Sequence, residues 1–480
     1  MQKNLTLLTD LYQLTMMNGY FLTSNHNTVA VFDLFFRAKE EINYGIMAGL
    51  EQAIEYIKNL SFTKDDIKYL KMLNLFSDNF LQYLQEFRFS GDIWAVAEGE
   101  VVFPNEPILI VKAPIIQAQL LETALLNIIN HQTLIASKAS RMVEAAKNKS
   151  IVEFGLRRAY GPDSGIYGTR AGMIGGCSAT SNVFSGKLFD IAVKGTHGHS
   201  WVSSFDTELE AFRAYAKIYP DNCLLLVDTY DTLKSGVPNA IKVFRELKEK
   251  KHKPIGIRLD SGDLAYLSKK ARAMLDEAGF ADTIIFASND IDDNLIEQLE
   301  LQNAKIDVYG VGTKLITASN ISSIGGVYKL SAIEREGKAG KKELASVMKF
   351  SDSENKATNP GFKNLYRIYD KSNGMAKADL ITLNGEIIQK PLTLIHPIER
   401  WKTTTLDDFI IRPMLNQVFK KGTLCYKTPT LAQIISFSKS ELNKFWGEYK
   451  RLTRPHLYKV NLSDELYKLK HEIQVRQKGL

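Results

Sequence analysis

The chain has 480 residues, 45% of them hydrophobic and 24% charged, with a formal net charge of +7. It is too long for one ordinary domain of about 100–200 residues, and this composition excludes an intrinsically disordered chain. The surplus of 61 basic over 54 acidic residues is small for this length and suits anionic small molecules, while no dense Lys/Arg block marks a nucleic-acid arm.

Cys177, Cys223 and Cys425 are odd in number and form no CxxC pair, which argues against a disulfide framework or a thiolate zinc site. The N-terminal segment lacks a signal-peptide core. The longest apolar runs, such as Pro107 to Val111, fall far short of the roughly 20 residues that a membrane helix needs. A cytoplasmic address follows, with no membrane or nucleic-acid partner.

In chain order, Leu11 to Tyr20 reads as a helix, and Thr28 to Arg37 has the β-branched and aromatic content of a strand. Trp94 to Val111 reads as a short β unit punctuated by Pro104 and Pro107. Gln117 to Lys147 carries apolar residues at helical spacing without a proline. A regular rhythm then sets in. Asn222 to Val227 is an apolar run that ends in Asp228-Thr229-Tyr230-Asp231, and Pro238 to Lys251 follows with helical composition. Pro254 to Leu259 ends in Asp260-Ser261-Gly262-Asp263 before a helix over Leu264 to Ala278. Thr283 to Ala287 ends in Ser288-Asn289-Asp290 before a helix over Asp292 to Leu301. Lys305 to Tyr309 ends in Gly310-Val311-Gly312-Thr313.

Short apolar runs alternating with helices imply parallel strands joined by crossovers, with ligands at the strand ends. This α/β pattern reads as the second half of a (β/α) barrel, with Phe154 to Arg157 and Ala192 to Gly195 as earlier strand ends. A doubly wound open sheet fits the same pattern. Glu334 to Glu343 reads as an exposed hairpin loop. Beyond about residue 345, strands and polar turns dominate before a charged helical tail over Ser438 to Lys450.

The strand-end loops carry the chemistry. Gly262, Gly310, Gly312, Gly325 and Gly326 allow tight turns whose N–H groups can face a phosphate. Asp228, Asp260, Asp263 and Asp290 bring carboxylates to the same rim, where they can hold ribose hydroxyls or Mg²⁺. For Asp263 and Asp292, helix capping is the better reading. Arg157 and Arg158 can grip an anion or form surface ion pairs. Arg258 lies inside an apolar strand, where a charge has little solvent.

In Gly195-Thr196-His197-Gly198-His199-Ser200-Trp201, two imidazoles alternate on what reads as an extended segment and so share a side. A metal pair of the kind found in zinc-dependent barrel hydrolases is one reading, although no histidine ends a later strand to complete it. A nucleophilic or acid/base histidine is the other. His131 reads as helix packing or capping.

Several stretches resemble the nicotinate phosphoribosyltransferases, members of the type II phosphoribosyltransferases. They are Leu8 to Met16, Glu153-Phe154-Gly155-Leu156-Arg157-Arg158-Ala159, Thr180-Ser181-Asn182-Val183, Gly195 to Trp201, Leu226 to Thr232, Arg258 to Asp263 and Tyr309 to Thr313. Looser similarity continues through Pro360-Gly361 and Lys363. The resemblance implies an irregular (β/α) barrel packed against an α+β domain formed by the N-terminal and C-terminal segments. The boundaries drawn are 1–125 for the N-terminal α+β domain, 126–345 for the barrel and 346–480 for the C-terminal segment.

It further implies a homodimer with shared active sites, with nicotinate, phosphoribosyl diphosphate and ATP as substrates and Mg²⁺ as cofactor. No resident metal site is drawn from the protein's own residues. Tyr12 and Phe154 would sandwich the pyridine ring, and Thr196 and Arg258 would contact nicotinate, with Arg258 suited to its carboxylate. Arg157, Asp260, Asp290, Gly312 and Thr313 match the phosphoribosyl and diphosphate site, to which the rim residues Asp228 and Gly310 are added. His199 matches the histidine that the family phosphorylates from ATP; with Arg258 and Asp260 it makes the catalytic set. Gly198 stands where relatives often carry alanine, and Tyr160 where glutamine is common. Thr180-Ser181-Asn182 and Thr196-His197 lean to nicotinate over nicotinamide as the base.

Overall fold

The run of alternating strands and helices in the middle of the chain forms one parallel sheet. The computed structural model describes residues 4–38, 42–337, 340–350, 357–397, 399 and 401–478. They fall into two compact units, one of Ile135–Ser322 and one of Met1–Leu134 with Ser323–Leu480.

In the first of these, six strands lie in the order Ala179–Thr180, Ser150–Glu153, Val308–Val311, Ile284–Ala287, Gly256–Leu259, Leu224–Leu226. Every pairing is parallel. The strands are short, apolar and buried, as strands covered on both faces must be. The connecting helices bury one stripe each. In Val237–Glu249 that stripe is Val237, Ala240, Ile241 and Phe244, at the i, i+3, i+4, i+7 spacing that puts side chains on one face. Asp263 and Asp292 cap their helices, accepting from the Tyr266 and Leu295 amides at 3.0 and 2.8 Å.

Three expectations shift. The helix read over Gln117 to Lys147 is two, Ile115–Leu120 and Glu122–Ala145. The strand read over Lys305 to Tyr309 is Val308–Val311, so Gly310 is a strand residue and the loop starts at Gly312. The physical reason is packing: a Cβ on Gly310 would meet the Phe286 ring at 2.6 Å and the Phe154 ring at 2.9 Å. The helical tail read over Ser438 to Lys450 is instead a helix over Leu431–Leu442 and a short one over Gly447–Lys450. The overlooked start signal is a capping box, in which the Thr430 and Gln433 side chains bond each other's amides.

The other unit holds a seven-stranded sheet in the order Lys342–Ser346, Gly326–Glu336, Val29–Phe36, Leu109–Pro114, Asp92–Val96, Leu415–Lys420, Thr423–Leu424. In the stretch read as a loop over Glu334 to Glu343, residues 334–336 and 342–343 belong instead to the first two of these strands, Glu336 pairing with Lys342, and residues 338 and 339 lie outside the described ones. A six-stranded sheet of C-terminal strands accompanies it.

Charges inside this unit tie chain segments far apart in sequence. Arg367, fully buried, donates two bonds to Asp379 at 2.9 and 2.6 Å and one to Glu100 at 2.6 Å. Lys363 pairs with Asp33 at 2.7 Å, both buried. Buried ions persist only where partners and hydrogen bonds replace water, so these pairs fix C-terminal strands against N-terminal ones. Among the described residues, no helix is long and apolar enough to cross a membrane.

Candidate functional site

The site is assembled where the six parallel strands end. After Ser150–Glu153 comes Phe154, whose amide donates to the Val311 carbonyl at 2.7 Å. Its ring stacks on Phe286, with centroids 5.5 Å apart and planes 12° from parallel. Phe286 arrives from the Ile284–Ala287 strand and was not singled out in the sequence. Gly312 follows the neighbouring strand and lies beside the Phe154 carbonyl, 3.3 Å from where a Cβ would stand, and Thr313 opens the helix behind it.

Arg157 and Arg158 sit exposed on a 3-10 turn, Leu156–Arg158, with no ion-pair partner among the described residues. The surface ion pair considered for them is not formed.

The Gly256–Leu259 strand delivers Arg258. Its guanidinium donates to the Thr196 hydroxyl at 2.7 Å and to the His197 carbonyl at 3.3 Å, and its Nε is buried without a partner. Burial pushes its pKa down, and Arg157 is close enough to add to that; Asp260 and Asp228 pull the other way. A partly desolvated cation whose hydrogen bonds go to neutral oxygens is suited to an added anion.

Two carboxylates stand beyond it. Asp228 is buried, and its Oδ2 accepts from the Asp260 amide at 3.0 Å and the Ser261 hydroxyl at 2.6 Å, while Oδ1 has no partner. Asp228 therefore shapes the 260–262 turn, in which Gly262 takes a left-handed φ of 76°. Asp260 accepts from the Ser288 hydroxyl and faces the ring of His199, 3.6 Å from its Nε2. His199 Nδ1 lies 3.1 Å from the Thr229 hydroxyl. Ser261, Ser288 and Thr229 were given no role in the sequence; small hydroxyls beside strand-end carboxylates are the signal that marks them.

The two histidines do not share a side. Extended backbone ends at Gly198, and His199 is already the first residue of a helix over His199–Ser203. His197 is buried, and its Nε2 accepts the Leu226 amide at 3.3 Å while Tyr215 packs edge-on at 4.7 Å. A nitrogen that accepts an N–H carries no proton. The ring is held neutral, its pKa lowered to about 4, chiefly by burial. His199 is half-exposed. The imidazoles therefore do not converge, and among the described residues no group of three or more His, Cys, Asp or Glu side chains is placed to hold a metal.

Asp290 stands exposed past its strand and shares no hydrogen bond with the cluster. Gly310, placed on the rim by sequence, lies within its strand beneath the ring pair. Tyr12 belongs to the other unit, on the helix Leu11–Leu22, where it is 48% exposed. The buried Gln13 donates to its hydroxyl at 3.1 Å. His131 is largely buried within its helix, which lowers its pKa.

Comparison with known proteins follows the same residues. Residues 7–130 match the nicotinate phosphoribosyltransferase N-terminal domain, 149–380 the nicotinate phosphoribosyltransferase family and 362–470 its C-terminal domain. The chain is 46% identical to a nicotinate phosphoribosyltransferase of Bacillus subtilis, covering 98% of this chain and 96% of that one. With a Caenorhabditis elegans protein of the same name, identity is 36%, over 97% and 93%. The crystal structure of human nicotinic acid phosphoribosyltransferase superposes with a TM-score of 0.84 at 28% identity, over 97% of this chain and 99% of that one. With strand-end chemistry, whole-chain similarity and fold in agreement, this chain belongs to the nicotinate phosphoribosyltransferase family.

Proposed function

We propose that this protein joins nicotinate to the phosphoribosyl group of phosphoribosyl diphosphate, releasing diphosphate, with ATP as co-substrate, in the salvage of pyridine nucleotides toward NAD. The observation that carries this reading is Arg258: a partly buried guanidinium whose Nε is buried and unpartnered, in register with Phe286, on which Phe154 stacks, and next to the Asp228–Asp260 turn. An aromatic acid uses all of these features. Its carboxylate suits the guanidinium, with Thr196 and the His197 carbonyl fixing the fork, and its ring suits the face of Phe154.

In the reaction the pyridine nitrogen forms a bond to the ribose C1 as the C1–O bond to diphosphate breaks. Positive charge grows at C1 and negative charge on the departing diphosphate. Arg157, exposed and without an ion pair among the described residues, and the Gly312 and Thr313 amides would bind that negative charge. Asp260 and Asp228, with Asp290 beyond them, are suited to ribose hydroxyls. No protein nucleophile is needed, because holding the base nitrogen in line lowers the barrier through orientation.

Mg²⁺ fits this rim, since it takes oxygen ligands, keeps several waters and shares phosphate oxygens. Asp228, with its unpartnered buried Oδ1, and Asp290 would hold it. When bound it would offset the diphosphate charge. ATP would transfer its γ-phosphoryl group to His199, whose Nδ1 is engaged by Thr229 and whose Nε2 is half-open near Asp260. Water would then release phosphate, making product formation more favourable.

The parallel sheet also supports an irregular (β/α) barrel. Its first strand, Ser150–Glu153, pairs with its last, Val308–Val311. The segment from Val193, bridged to Thr180, to His197, bonded to Leu226, spans the remaining gap. Val183, Phe184 and Leu188, which are 71%, 58% and 53% exposed on one helix, support a homodimer. In it, Tyr12 of the partner subunit would face the pyridine ring opposite Phe154.

Phosphoribosyl diphosphate and labelled nicotinate, with and without ATP and Mg²⁺, test the reaction directly. Nicotinate mononucleotide should form, more of it with ATP, and nicotinamide should compete poorly; no labelled nucleotide under any condition sinks the reading. In the same assay His199→Ala should retain some ATP-independent synthesis at high substrate while ATP hydrolysis is lost. Hydrolysis still stoichiometric with product would contradict the role given to His199.

His197 predicts a pH effect on stability. The unfolded chain takes up a proton at His197 below about pH 6.5, whereas the native ring resists it down to about pH 4. Native stability should therefore fall as pH drops through that window and flatten below it. The melting temperature of His197→Gln should lack this part of the slope; parallel curves for the two proteins would contradict the neutral ring.

A further inference from the structure

Glu153 is a carboxylate where carboxylates are costly. It ends the Ser150–Glu153 strand with no exposed surface, and no cation pairs with it among the described residues. Burial raises its pKa, and three donors oppose that shift. One oxygen accepts the Gly155 amide. The other accepts the Thr180 hydroxyl at 2.6 Å and lies 3.0 Å from the Thr169 hydroxyl, whose one proton it shares with the Gly165 carbonyl at 2.8 Å. Asn182 closes the network, its amide N–H donating to the Thr180 hydroxyl at 3.0 Å and its side chain to the Thr169 hydroxyl at 3.2 Å.

Nothing in the proposed chemistry touches Glu153, yet its position is informative. Phe154 lies between Glu153 and the amide that Glu153 holds. The carboxylate thus closes a tight loop around this one residue. The far oxygen anchors that loop to the end of the adjacent strand, through Thr180, and to the helix Pro162–Ile174, through Thr169. Gly155 is pressed against Ile316, 2.5 Å from where a Cβ would stand, so the turn cannot relax in that direction. A neutral amide at 153 keeps the shape but turns one acceptor into a donor. An N–H would then face either the Gly155 N–H or the two hydroxyl protons. The Phe154 side chain that stacks on Phe286 leaves the backbone inside this loop.

We infer that Glu153 is a positioning residue, which fixes the Phe154 ring as a platform for the pyridine base by clamping the Gly155 amide to Thr169 and Thr180. This rests on the reading of Phe154 as the base platform.

The test is a double-mutant cycle of Glu153→Gln with Phe154→Leu in the full-length enzyme. Glu153→Gln should raise the nicotinate KM about tenfold, the scale of one lost hydrogen bond to a charged group. The KM for phosphoribosyl diphosphate and kcat should change by less than about twofold. In the Phe154→Leu background, the same substitution should change the nicotinate KM by less than about twofold, because no platform is left to misplace.

A full tenfold effect on top of Phe154→Leu, equal rises in both KM values, or no rise at all would overturn the inference. If Glu153→Gln does not fold, Thr180→Val removes a single donor and should show the same pattern at about threefold. Should Phe154→Leu itself leave the nicotinate KM unmoved, the platform reading fails, which is a different outcome from failure of the clamp alone.

Discussion

A guanidinium drawn partly out of water favours an anion, and in the parallel sheet the hydrogen bonds of Arg258 go to neutral oxygens alone, with the Asp228 and Asp260 carboxylates near enough to favour its charge. Arg258 leans on the Thr196 hydroxyl and the His197 carbonyl, and its Nε is buried without a partner. Elsewhere in the chain a buried arginine is fully served: Arg367 has both oxygens of Asp379 and one of Glu100. The contrast is between a charge paired within the fold and one whose hydrogen bonds end on neutral groups, and the proposed function gives the second a substrate carboxylate as its partner.

The remaining site geometry serves that charge. Parallel strands deliver their last residues to one rim, and each strand end contributes a different group. The Gly256–Leu259 strand supplies the cation and, two residues later, Asp260; the strand beside it leads to Asp228, which holds the Asp260 turn in shape. The Ser150–Glu153 strand supplies an aromatic face, backed by Phe286 from two strands away and made possible by the missing side chain of Gly310 between them. His197 holds the guanidinium through its carbonyl and holds itself through the Leu226 amide, which requires an unprotonated ring. His199, next but one along the chain, is left half-exposed against Asp260 and Thr229 for different work.

Much of this was legible in the residues. A charge in an apolar strand at Arg258, and carboxylates directly after strands at Asp228 and Asp260, are anomalies that bulk patterning cannot explain away. Capping geometry likewise separated Asp263 and Asp292 from them. Other features depend on contacts that no local pattern encodes. Alternation along Gly195 to Trp201 suggested paired imidazoles, but a helix starting at His199 sends the rings apart. Gly310 looked like a turn glycine because Gly-x-Gly usually is one; only the two phenylalanine rings from other strands show what its small size is for. Glu153 was visible as part of a motif, yet its three donors come from positions 155, 169 and 180, and only the fold unites them. In the C-terminal half, strands hold their places through buried pairs such as Lys363 with Asp33, a partner more than 300 residues away, so sequence reading there gave composition and little else.

The central claim is that Arg258 recognises a carboxylate, and equilibrium binding of nicotinate and nicotinamide measures it most directly. The two bases differ in that one group. A charge-assisted hydrogen bond contributes about 1.5–3 kcal/mol, so the native protein should bind nicotinate about 10–100 times more tightly than nicotinamide. In Arg258→Leu that preference should collapse to near unity while the protein stays folded. A preference that survives the loss of the guanidinium would contradict the account.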